Sequence, residues 1–226
     1  MAIKIENVVT PSAEQWEAII RGTRNPMNSW DKSDSYYTYI EDAETLQKAP
    51  FEFFVGENDL ELMKRLAKAG TDHRKFMRMI TVYVDVTAPL YWWAEYDTYK
   101  VGTVRNSCSK MHTIHKKEFT LDDFSIDDFY FEDDKVGMCL SDMFINVVAD
   151  CEFLRKRFVE TNDKKYWRGL IQILPSSYNQ KATLMLNYEV LTNIYHSRKA
   201  HKLDEWVEFC KWVETLPYAK ELICNE

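Results

Sequence analysis

The chain has 226 residues, of which 46% are hydrophobic and 14% aromatic, so it is long and apolar enough to bury a sizeable core. That composition excludes an intrinsically disordered protein, and 6 glycines and 6 prolines are too few for an all-β protein dense in tight turns. A net charge of −7 excludes a protein that coats DNA through a broad basic surface, although it leaves room for a small basic pocket that binds a nucleotide.

The first predicted elements are a strand and two helices. The sequence IKIENVV alternates apolar and polar residues, which is typical of a short strand. Thr10 and Pro11 are predicted to be the N-cap and the first position of a helix that runs to residue 24. The segment NDLELMKRLAKAG has apolar residues at helical spacing, and Gly70 is predicted to end that helix.

A central strand and a short aromatic helix are predicted next. Residues 76–88 are rich in β-branched side chains, and Pro89 ends the run. Four apolar residues are predicted on one face of this strand: Ile80, Val82, Val84 and Val86. In the sequence LYWWAEYDTYK, Trp92, Tyr96 and Tyr99 recur at helical spacing and predict one face of a helix.

The stretch from Leu121 to Asp134 contains seven acidic residues. Carboxylates are ligands that Mg²⁺ prefers, but a solvated linker with helix-capping aspartates is the favoured interpretation. Helices are then predicted over residues 136–161, 164–174, 181–200 and 203–216. The predicted fold is a single α+β domain over residues 1–226, in which a mixed or antiparallel sheet is flanked by long helices.

Cysteine usage and the N-terminus predict the cellular compartment. The five cysteines are Cys108, Cys139, Cys151, Cys210 and Cys224. Their odd number and the lack of a C-x-x-C pair predict reduced thiols. The N-terminus has no signal-peptide pattern, and no stretch has the roughly 18 uninterrupted apolar residues of a membrane span. We therefore predict a cytoplasmic protein that binds neither membranes nor a nucleic-acid polymer.

The sequence lacks the common catalytic motifs, namely the P-loop, the G-x-G-x-x-G fingerprint and the G-x-S-x-G elbow. His112 and His115 have no nearby cysteine or carboxylate that would complete a zinc set, so no metal site is predicted. Cys108 has no adjacent base that would make it a nucleophile.

The predicted helix over residues 181–200 is more informative. Asn187 and Arg198 are eleven residues apart, so in a helix they share a face at a separation of about 16 Å. Lys181 is predicted near the start of the same helix. Two cations with an amide between them suit an anionic, planar ligand such as a nucleotide, and a solvated helix face is the alternative.

The sequence LPSSYNQKATLMLNYEVLTNIYHSR resembles the C-terminal region of the flavin-dependent thymidylate synthases. That family carries an L-P turn, an arginine shortly after it, an asparagine, an L-x-N-F segment and a final arginine. The corresponding residues fall at matching offsets without a gap: Leu174, Pro175, Lys181, Asn187, Leu191, Asn193 and Arg198. The sequence DEWVEFCKWV follows, where the family has an amphipathic helix with tryptophan and glutamate.

The upstream signature of that family is R-H-R, followed by a segment that ends in S-x-R. In this chain Thr98, Tyr99 and Lys100 stand at R-H-R, so only the third position keeps a cation. Ser109 stands at the signature serine. His73 lies near a flavin-contacting position of the helix and turn that precede the signature.

The resemblance implies the fold of the flavin-dependent thymidylate synthases and a homotetramer that binds FAD and dUMP at sites shared between chains. It also implies that NADPH reduces the flavin and that methylenetetrahydrofolate supplies the methyl carbon of the product. Catalytic roles, through polarisation of the uracil, are implied for Arg198 and Lys181. Binding of dUMP is implied for Ser109, Lys110, Arg105 and Ser107. Flavin binding is implied for His73, Lys100, Asn106, Asn187 and Asn193.

Two alternatives to the methylation of dUMP stay open. Asn106 and Ser107 stand where the family has an acidic residue, and Met111 replaces the signature arginine. Such changes also suit a related flavin-dependent modification of a pyrimidine nucleotide, for example hydroxymethylation, or a non-catalytic homologue that binds a nucleotide. The presence of Ser109 and Arg198 in the family register favours the methylation of dUMP.

Overall fold

The computed structural model of the chain describes residues 3–41, 48–127 and 140–224. It has the predicted α+β fold, with a four-stranded antiparallel sheet and several helices. The strands are β1 (Lys4–Val9), β2 (Tyr36–Glu41), β3 (Lys48–Phe54), β4 (Thr81–Pro89), β5 (Val104–Ser107) and β6 (Asn179–Asn187). The α-helices are α1 (Ala13–Arg24), α2 (Glu57–Lys68), α3 (Leu90–Tyr96), α4 (Lys110–Thr113), α5 (Leu140–Thr161), α6 (Lys164–Ile173), α7 (Tyr188–Arg198) and α8 (Asp204–Val213). Single 3-10 turns lie at Asn25–Met27, Trp30–Lys32, Arg74–Arg78 and Leu121–Asp123, and a π-helical turn lies at Lys220–Cys224.

The order of strands in the four-stranded sheet is β1-β4-β6-β5. Val82, Val84 and Val86 of β4 are buried, as the sequence predicted, and they alternate with more exposed residues. Strands β2 and β3 form a second, antiparallel sheet in which Tyr36 pairs with Phe54. This two-stranded sheet was not predicted from the sequence.

Helix α1 begins two residues later than predicted, because Ser12 is its N-cap. The Ser12 hydroxyl accepts a hydrogen bond from the backbone N–H of Gln15 at 3.3 Å, and the Gln15 side chain accepts one from the Ser12 N–H at 2.8 Å. This capping box satisfies two N–H groups that would otherwise lack partners. The prediction of Thr10 as the N-cap and Pro11 as the first helical position was therefore wrong.

Two further predicted boundaries differ from the structure. Residues Arg74–Arg78 form a 3-10 turn, so β4 begins at Thr81 and not at residue 76. Helix α3 ends at Tyr96, and Tyr99 therefore does not lie on its face. The stop of α2 was correctly predicted, since Gly70 follows the helix with a φ of 98°.

The largest correction concerns β6, which the sequence analysis assigned to a helix that starts at Lys181. Ala182, Leu184 and Leu186 are buried and alternate with more exposed neighbours, which is the period of a strand. The alternation is visible in the sequence KATLMLN. Lys, Ala, Leu and Met also have high helix propensity, however, and the prediction of a helix followed that propensity. Helix α7 begins only at Tyr188.

The backbone divides into two compact units. The first unit comprises the described parts of Met1–Glu6, Asp85–Thr98 and Arg105–Thr183, and it includes α3 to α6. The second unit comprises Asn7–Val84, Tyr99–Val104 and Leu184–Glu226, again where they are described, and it includes α1, α2, α7, α8 and the two-stranded sheet.

The first unit has its own apolar core. The buried members of this core are Ile114, Phe119, Phe124, Phe144, Val148, Cys151 and Leu170. Part of the predicted acidic linker lies beside them: Leu121–Asp123 form a 3-10 turn, and the Asp123 carboxylate accepts a hydrogen bond from the Thr120 N–H at 2.9 Å. This contact confirms a capping aspartate. Residues 128–134 of the same stretch lie outside the described residues.

In the second unit, the buried carboxylate of Asp59 joins α1, α2 and the segment between them. The Arg24 Nε donates to it at 2.5 Å, and the hydroxyls of Ser33 and Ser35 each donate at 2.6 Å. The side chains of Arg24 and Asp59 are only 6% and 1% exposed. Burial raises the pKa of Asp59, but the hydrogen bonds from the two serines and Arg24 outweigh it and hold the pKa below its ordinary value.

Candidate functional site

The segment that carries Ser107, Ser109 and Lys110 belongs to the first unit and is hydrogen-bonded to β6. The Cys108 N–H donates to the Lys181 carbonyl at 3.1 Å, and the Gln180 side-chain amide donates to the Cys108 carbonyl at 2.6 Å. Ser109 is the N-cap residue of the short helix α4, and its side chain makes no capping hydrogen bond. The backbone of this segment is therefore fixed, while the Ser109 hydroxyl is not used as a cap.

Arg105 lies in the same segment, and its guanidinium contacts three side chains of the first unit. It donates to the Asp97 carboxylate and to the Gln180 side-chain oxygen, both at 2.8 Å. It also stacks 4.0 Å from the centre of the Trp93 ring. These contacts give Arg105 a structural role in addition to the substrate contact that the resemblance implied.

Replacing Arg105 with lysine is expected to lower the free energy of unfolding by about 1 to 3 kcal/mol, because an ammonium group cannot contact Asp97, Gln180 and the Trp93 ring together. Urea unfolding followed by circular dichroism measures this change. Arg168→Lys is the matched control, since Arg168 is exposed on α6. Equal losses in the two variants would contradict the structural role.

Lys110 is the second cation of the segment, and it is half-buried. Burial and then the positive charge of Arg105 lower the pKa of its amine. The positive charges of Lys110 and Arg105 repel each other in partly buried surroundings, and a bound anion would stabilise both. Lys110, with the hydroxyls of Ser107 and Ser109 nearby in sequence, therefore forms a candidate phosphate site, and Asn106 is exposed beside it.

Lys181 does not lie on a helix with Arg198, which corrects the sequence-based geometry. Its side chain projects from β6 and forms ion pairs with Asp85 at 3.2 Å and with Glu6 at 3.7 Å. The hydrogen bond with Asp85 raises the pKa of Lys181. Thr183, two residues along the strand, also donates to Asp85, at 2.6 Å. The charge of Lys181 is thus already compensated within the first unit.

Asn187, in the second unit, is the N-cap of α7 and is buried. Its side-chain oxygen accepts a hydrogen bond from the Val190 N–H at 3.0 Å, and its amide nitrogen donates to the Gly102 carbonyl at 3.1 Å. Gly102 has a φ of 83°, and a Cβ at this position would come within 3.1 Å of the Asn187 amide nitrogen. The Asn187 amide is therefore largely committed to the protein itself.

Replacing Asn187 with alanine is expected to destabilise the protein by about 1 to 2 kcal/mol through the loss of the helix cap. Asn187→Ser keeps a capping oxygen and is expected to lose less than Asn187→Ala. Thermal or urea unfolding of the two variants measures the difference. If both variants match the parent protein in stability, the cap contributes nothing.

Arg198, the last residue of α7, is held by aromatic and imidazole groups of the second unit. Its Nε donates to the Tyr99 hydroxyl at 2.9 Å, and its terminal nitrogen donates to His201 Nε2 at 2.8 Å. The guanidinium also lies 4.9 Å from the centre of the Trp206 ring. These contacts fix the direction of the guanidinium, which is what a residue that polarises a substrate carbonyl requires.

Arg74 is a residue of the second unit that the sequence analysis missed. Its guanidinium forms an ion pair with Glu189 at 2.8 Å and donates to the side-chain oxygen of Asn193 at 3.3 Å. Arg74 directly follows His73 in the sequence. His73 also lines a cavity of about 190 Å³ with Lys75 and Asp72.

These side chains offer hydrogen-bond donors that can serve a flavin. His73, Asn193 and Lys100 are exposed, whereas Asn187 is buried and committed. Asn193 accepts from Arg74 through its side-chain oxygen, so its amide N–H groups are the donors that it can offer a ligand. His73 and Asn193 therefore fit an acceptor-rich ring edge, and Asn187 fits it less well.

Within the three described ranges, no three His, Cys, Asp or Glu side chains are placed to hold a metal ion. No helix of the same ranges is long and apolar enough to cross a membrane.

Comparison with known proteins finds a likeness in structure and none in sequence. No protein-family profile and no curated protein sequence matches the chain. A crystal structure of thymidylate synthase X from Helicobacter pylori with FAD and dUMP has a TM-score of 0.64 and 17% identity, and it covers 100% of this chain and 98% of the other. A second structure, the flavin-dependent thymidylate synthase from Helicobacter pylori complexed with FAD and dUMP, has a TM-score of 0.62 and 17% identity and covers 100% and 99%. The chain therefore has, over its whole length, the fold of these flavin-dependent thymidylate synthases.

Proposed function

We propose that this protein is a flavin-dependent enzyme of the thymidylate synthase type, which methylates dUMP to dTMP. In this proposal it binds FAD, uses NADPH as reductant and methylenetetrahydrofolate as carbon donor, and acts as a homotetramer in the cytoplasm. The observation that supports it most is the likeness of fold, over the whole chain, to structures that contain FAD and dUMP. The surroundings of Arg198 and of Lys110, each within its own unit, add support from the chain's own side chains.

The substrate roles follow from the charges and hydroxyls described above. Lys110 and Ser109 bind the phosphate of dUMP, because a half-buried amine with a second cation nearby is stabilised by an anion. Arg198 donates to a carbonyl oxygen of the uracil and stabilises the negative charge that develops there. Tyr99 and Trp206 hold Arg198 in place for this contact.

Most of the flavin roles fall to exposed donors of the second unit. His73 and the amide of Asn193 hold the ring edge, and Arg74 orients Asn193. Lys100 and Asn106 are assigned to the flavin by resemblance alone. The role of Asn187 in flavin binding is indirect, because its side chain caps α7. When bound, FAD supplies the electron transfer that no side chain can supply. The protein contributes binding, orientation and electrostatic stabilisation.

One observation favours a second candidate, which is altered chemistry or pure nucleotide binding on the same fold. Lys181 is compensated by Asp85 and Glu6, and Arg105 by Asp97, so two cations assigned to the substrate are paired within the protein. A site with fewer available cations binds a nucleotide more weakly and polarises it less. Hydroxymethylation of a pyrimidine nucleotide and a non-catalytic homologue are the two forms of this candidate.

The absorption spectrum of the purified protein, recorded before and after incubation with FAD, tests the flavin proposal first. Tritium release from dUMP labelled at C5, with NADPH and methylenetetrahydrofolate, then tests the reaction. A yellow protein that releases tritium is the expected result. A protein that cannot be loaded with FAD contradicts the proposal.

Two further results discriminate between the candidates. A flavoprotein that binds dUMP but releases no tritium supports altered chemistry or binding alone. Light scattering in solution is expected to give the mass of four chains, and a mass near one chain of 26.9 kDa contradicts a site shared between subunits.

A further inference from the structure

A second group of cations lies in the second unit, beside α2. None of its residues has been assigned above to the binding of dUMP or the flavin. The group lines a cavity of about 590 Å³. The residues that line it are Arg24, Lys32, Asn58, Glu61, Leu62 and Arg65. Among the lining residues that the structure describes, Leu62 is the only apolar one and none is aromatic, so the cavity suits a strongly hydrophilic ligand. Its volume falls within the range of about 300 to 1,000 Å³ that is usual for ligand sites.

The lining carries three cations and one carboxylate. That carboxylate, on Glu61, forms an ion pair with Lys64 at 2.6 Å, and the hydrogen bond from Lys64 lowers its pKa. Neither Lys32 nor Arg65 forms an ion pair within 4.0 Å with any residue that the structure describes, and both are exposed. Lys32 and Arg65 therefore bring to the cavity two positive charges that no described carboxylate neutralises through an ion pair, whereas Arg24 is paired with the buried Asp59.

Arg24 adds a buried donor to this lining. Arg24 as a whole is only 5% exposed. Its Nε donates a hydrogen bond to Asp59, and one of its two terminal nitrogens donates to the Ser29 hydroxyl at 3.4 Å. Its other terminal nitrogen is buried and has no hydrogen-bond partner among the described residues. A buried donor without a partner is destabilising, and an oxyanion in the cavity offers the missing acceptor.

We propose that this cavity binds the phosphate chain of a polyphosphate-bearing ligand. Lys32 and Arg65 supply the positive charge that attracts such a chain, Arg24 supplies a buried donor, and arginine presents its donors as a fork that fits phosphate oxygens. The lack of an aromatic ring means that the phosphates, and not a base, are recognised. This site does not depend on the proposed thymidylate synthase activity.

Isothermal titration of the full chain with inorganic tripolyphosphate tests the site. Binding that weakens as the salt concentration rises is expected, because the contacts are ionic. Titration with a nucleoside triphosphate distinguishes a free polyphosphate from the phosphate tail of a nucleotide. Equal affinities are expected, because the phosphate chain alone is recognised, and a much tighter nucleotide would contradict recognition of the phosphate chain alone.

Variants locate the binding. Lys32→Ala and Arg65→Ala are each expected to weaken tripolyphosphate binding about tenfold, and both residues are exposed, so the fold is retained. Lys68→Ala is the matched control, because Lys68 lies on the same helix, is exposed and does not line the cavity. Lys110→Ala removes the proposed phosphate contact of dUMP, so the tripolyphosphate binding that is expected to persist in this variant belongs to the cavity.

No measurable binding of tripolyphosphate, or affinities that stay the same in Lys32→Ala and Arg65→Ala, would overturn the proposal. An equal loss in Lys68→Ala would overturn it too, since the attraction would then be a general property of the surface. Failure of the flavin or tritium experiments leaves this result untouched, because neither measures binding at α2.

Discussion

Replacing Asp59 with alanine is expected to lower the free energy of unfolding by about 3 to 5 kcal/mol, because it leaves the buried Arg24 guanidinium without its charged partner. The carboxylate also accepts hydrogen bonds from the hydroxyls of Ser33 and Ser35, and from the N–H groups of Asp34 and Ser35. Its loss therefore affects α1, α2 and the segment between them at once. Urea unfolding at pH 7 measures the change.

The pH dependence of this contribution has a definite sign. The pKa of Asp59 in the folded protein lies below that of the unfolded chain. Its stabilising contribution is therefore complete well above about pH 4 and is lost as the pH falls through the folded pKa. The difference in stability between the parent protein and Asp59→Asn is expected to be larger at pH 7 than at acidic pH.

Two variants serve as controls for this prediction. Asp31→Ala removes an exposed carboxylate from the same connecting segment and is expected to change stability by less than about 0.5 kcal/mol. The double variant Arg24→Met, Asp59→Leu removes both charges and is expected to recover only the part of the loss that comes from the unpaired guanidinium, because the donors of Ser33, Asp34 and Ser35 still lack their acceptor. If Asp59→Ala proves no more harmful than Asp31→Ala, the buried network has no energetic importance.

Replacing Arg198 with alanine is expected to weaken the binding of dUMP by about 30-fold or more, as the loss of a positioned charged donor does in polar sites. The fold is expected to lose about 1 to 2 kcal/mol, because α7 tolerates alanine but the hydrogen bonds with Tyr99 and His201 and the contact with the Trp206 ring are lost. Titration with dUMP and urea unfolding measure the two effects separately.

Tyr99→Phe tests how Arg198 is held. It removes the hydroxyl that accepts from Arg198 Nε and keeps the ring, so a loss of dUMP affinity smaller than that of Arg198→Ala is expected. Lys199→Ala is the matched control, since Lys199 is the exposed cation next in sequence. Unchanged affinity for dUMP in Arg198→Ala would remove Arg198 from the substrate site.

The fold class, the buried face of β4 and the stop of α2 at Gly70 could be predicted because each depends on local periodicity or on one residue. Strand β6 was wrongly predicted as a helix. The sequence KATLMLN contains residues that favour helices, and its apolar residues also alternate as in a strand. Only the burial of the alternate residues in the structure shows that the strand forms. The helix cap at Ser12 was missed because Thr10-Pro11 offers an equally good local signal. Local sequence gives no means of choosing between two such signals.

The site was harder to predict than the fold. Gln180, which bonds both Arg105 and the Cys108 carbonyl, is 75 residues from Arg105 in sequence. Arg74 and Asn193 are likewise 119 residues apart. Such pairs depend on tertiary structure and leave no pattern in the sequence. The sequence could indicate which residues carry charge, but not that Lys181 and Arg105 are already paired.

The two faces of β6 limit how this chain can change in length. Ala182, Leu184 and Leu186 are buried on one face, while Lys181 and Thr183 reach Asp85 on the other. One inserted or deleted residue within Asn179–Asn187 would reverse the faces of all residues beyond it and bury charge where leucine now packs. We therefore expect natural variants of this protein to differ in length in the connections, and to keep the nine residues of β6 without insertion or deletion.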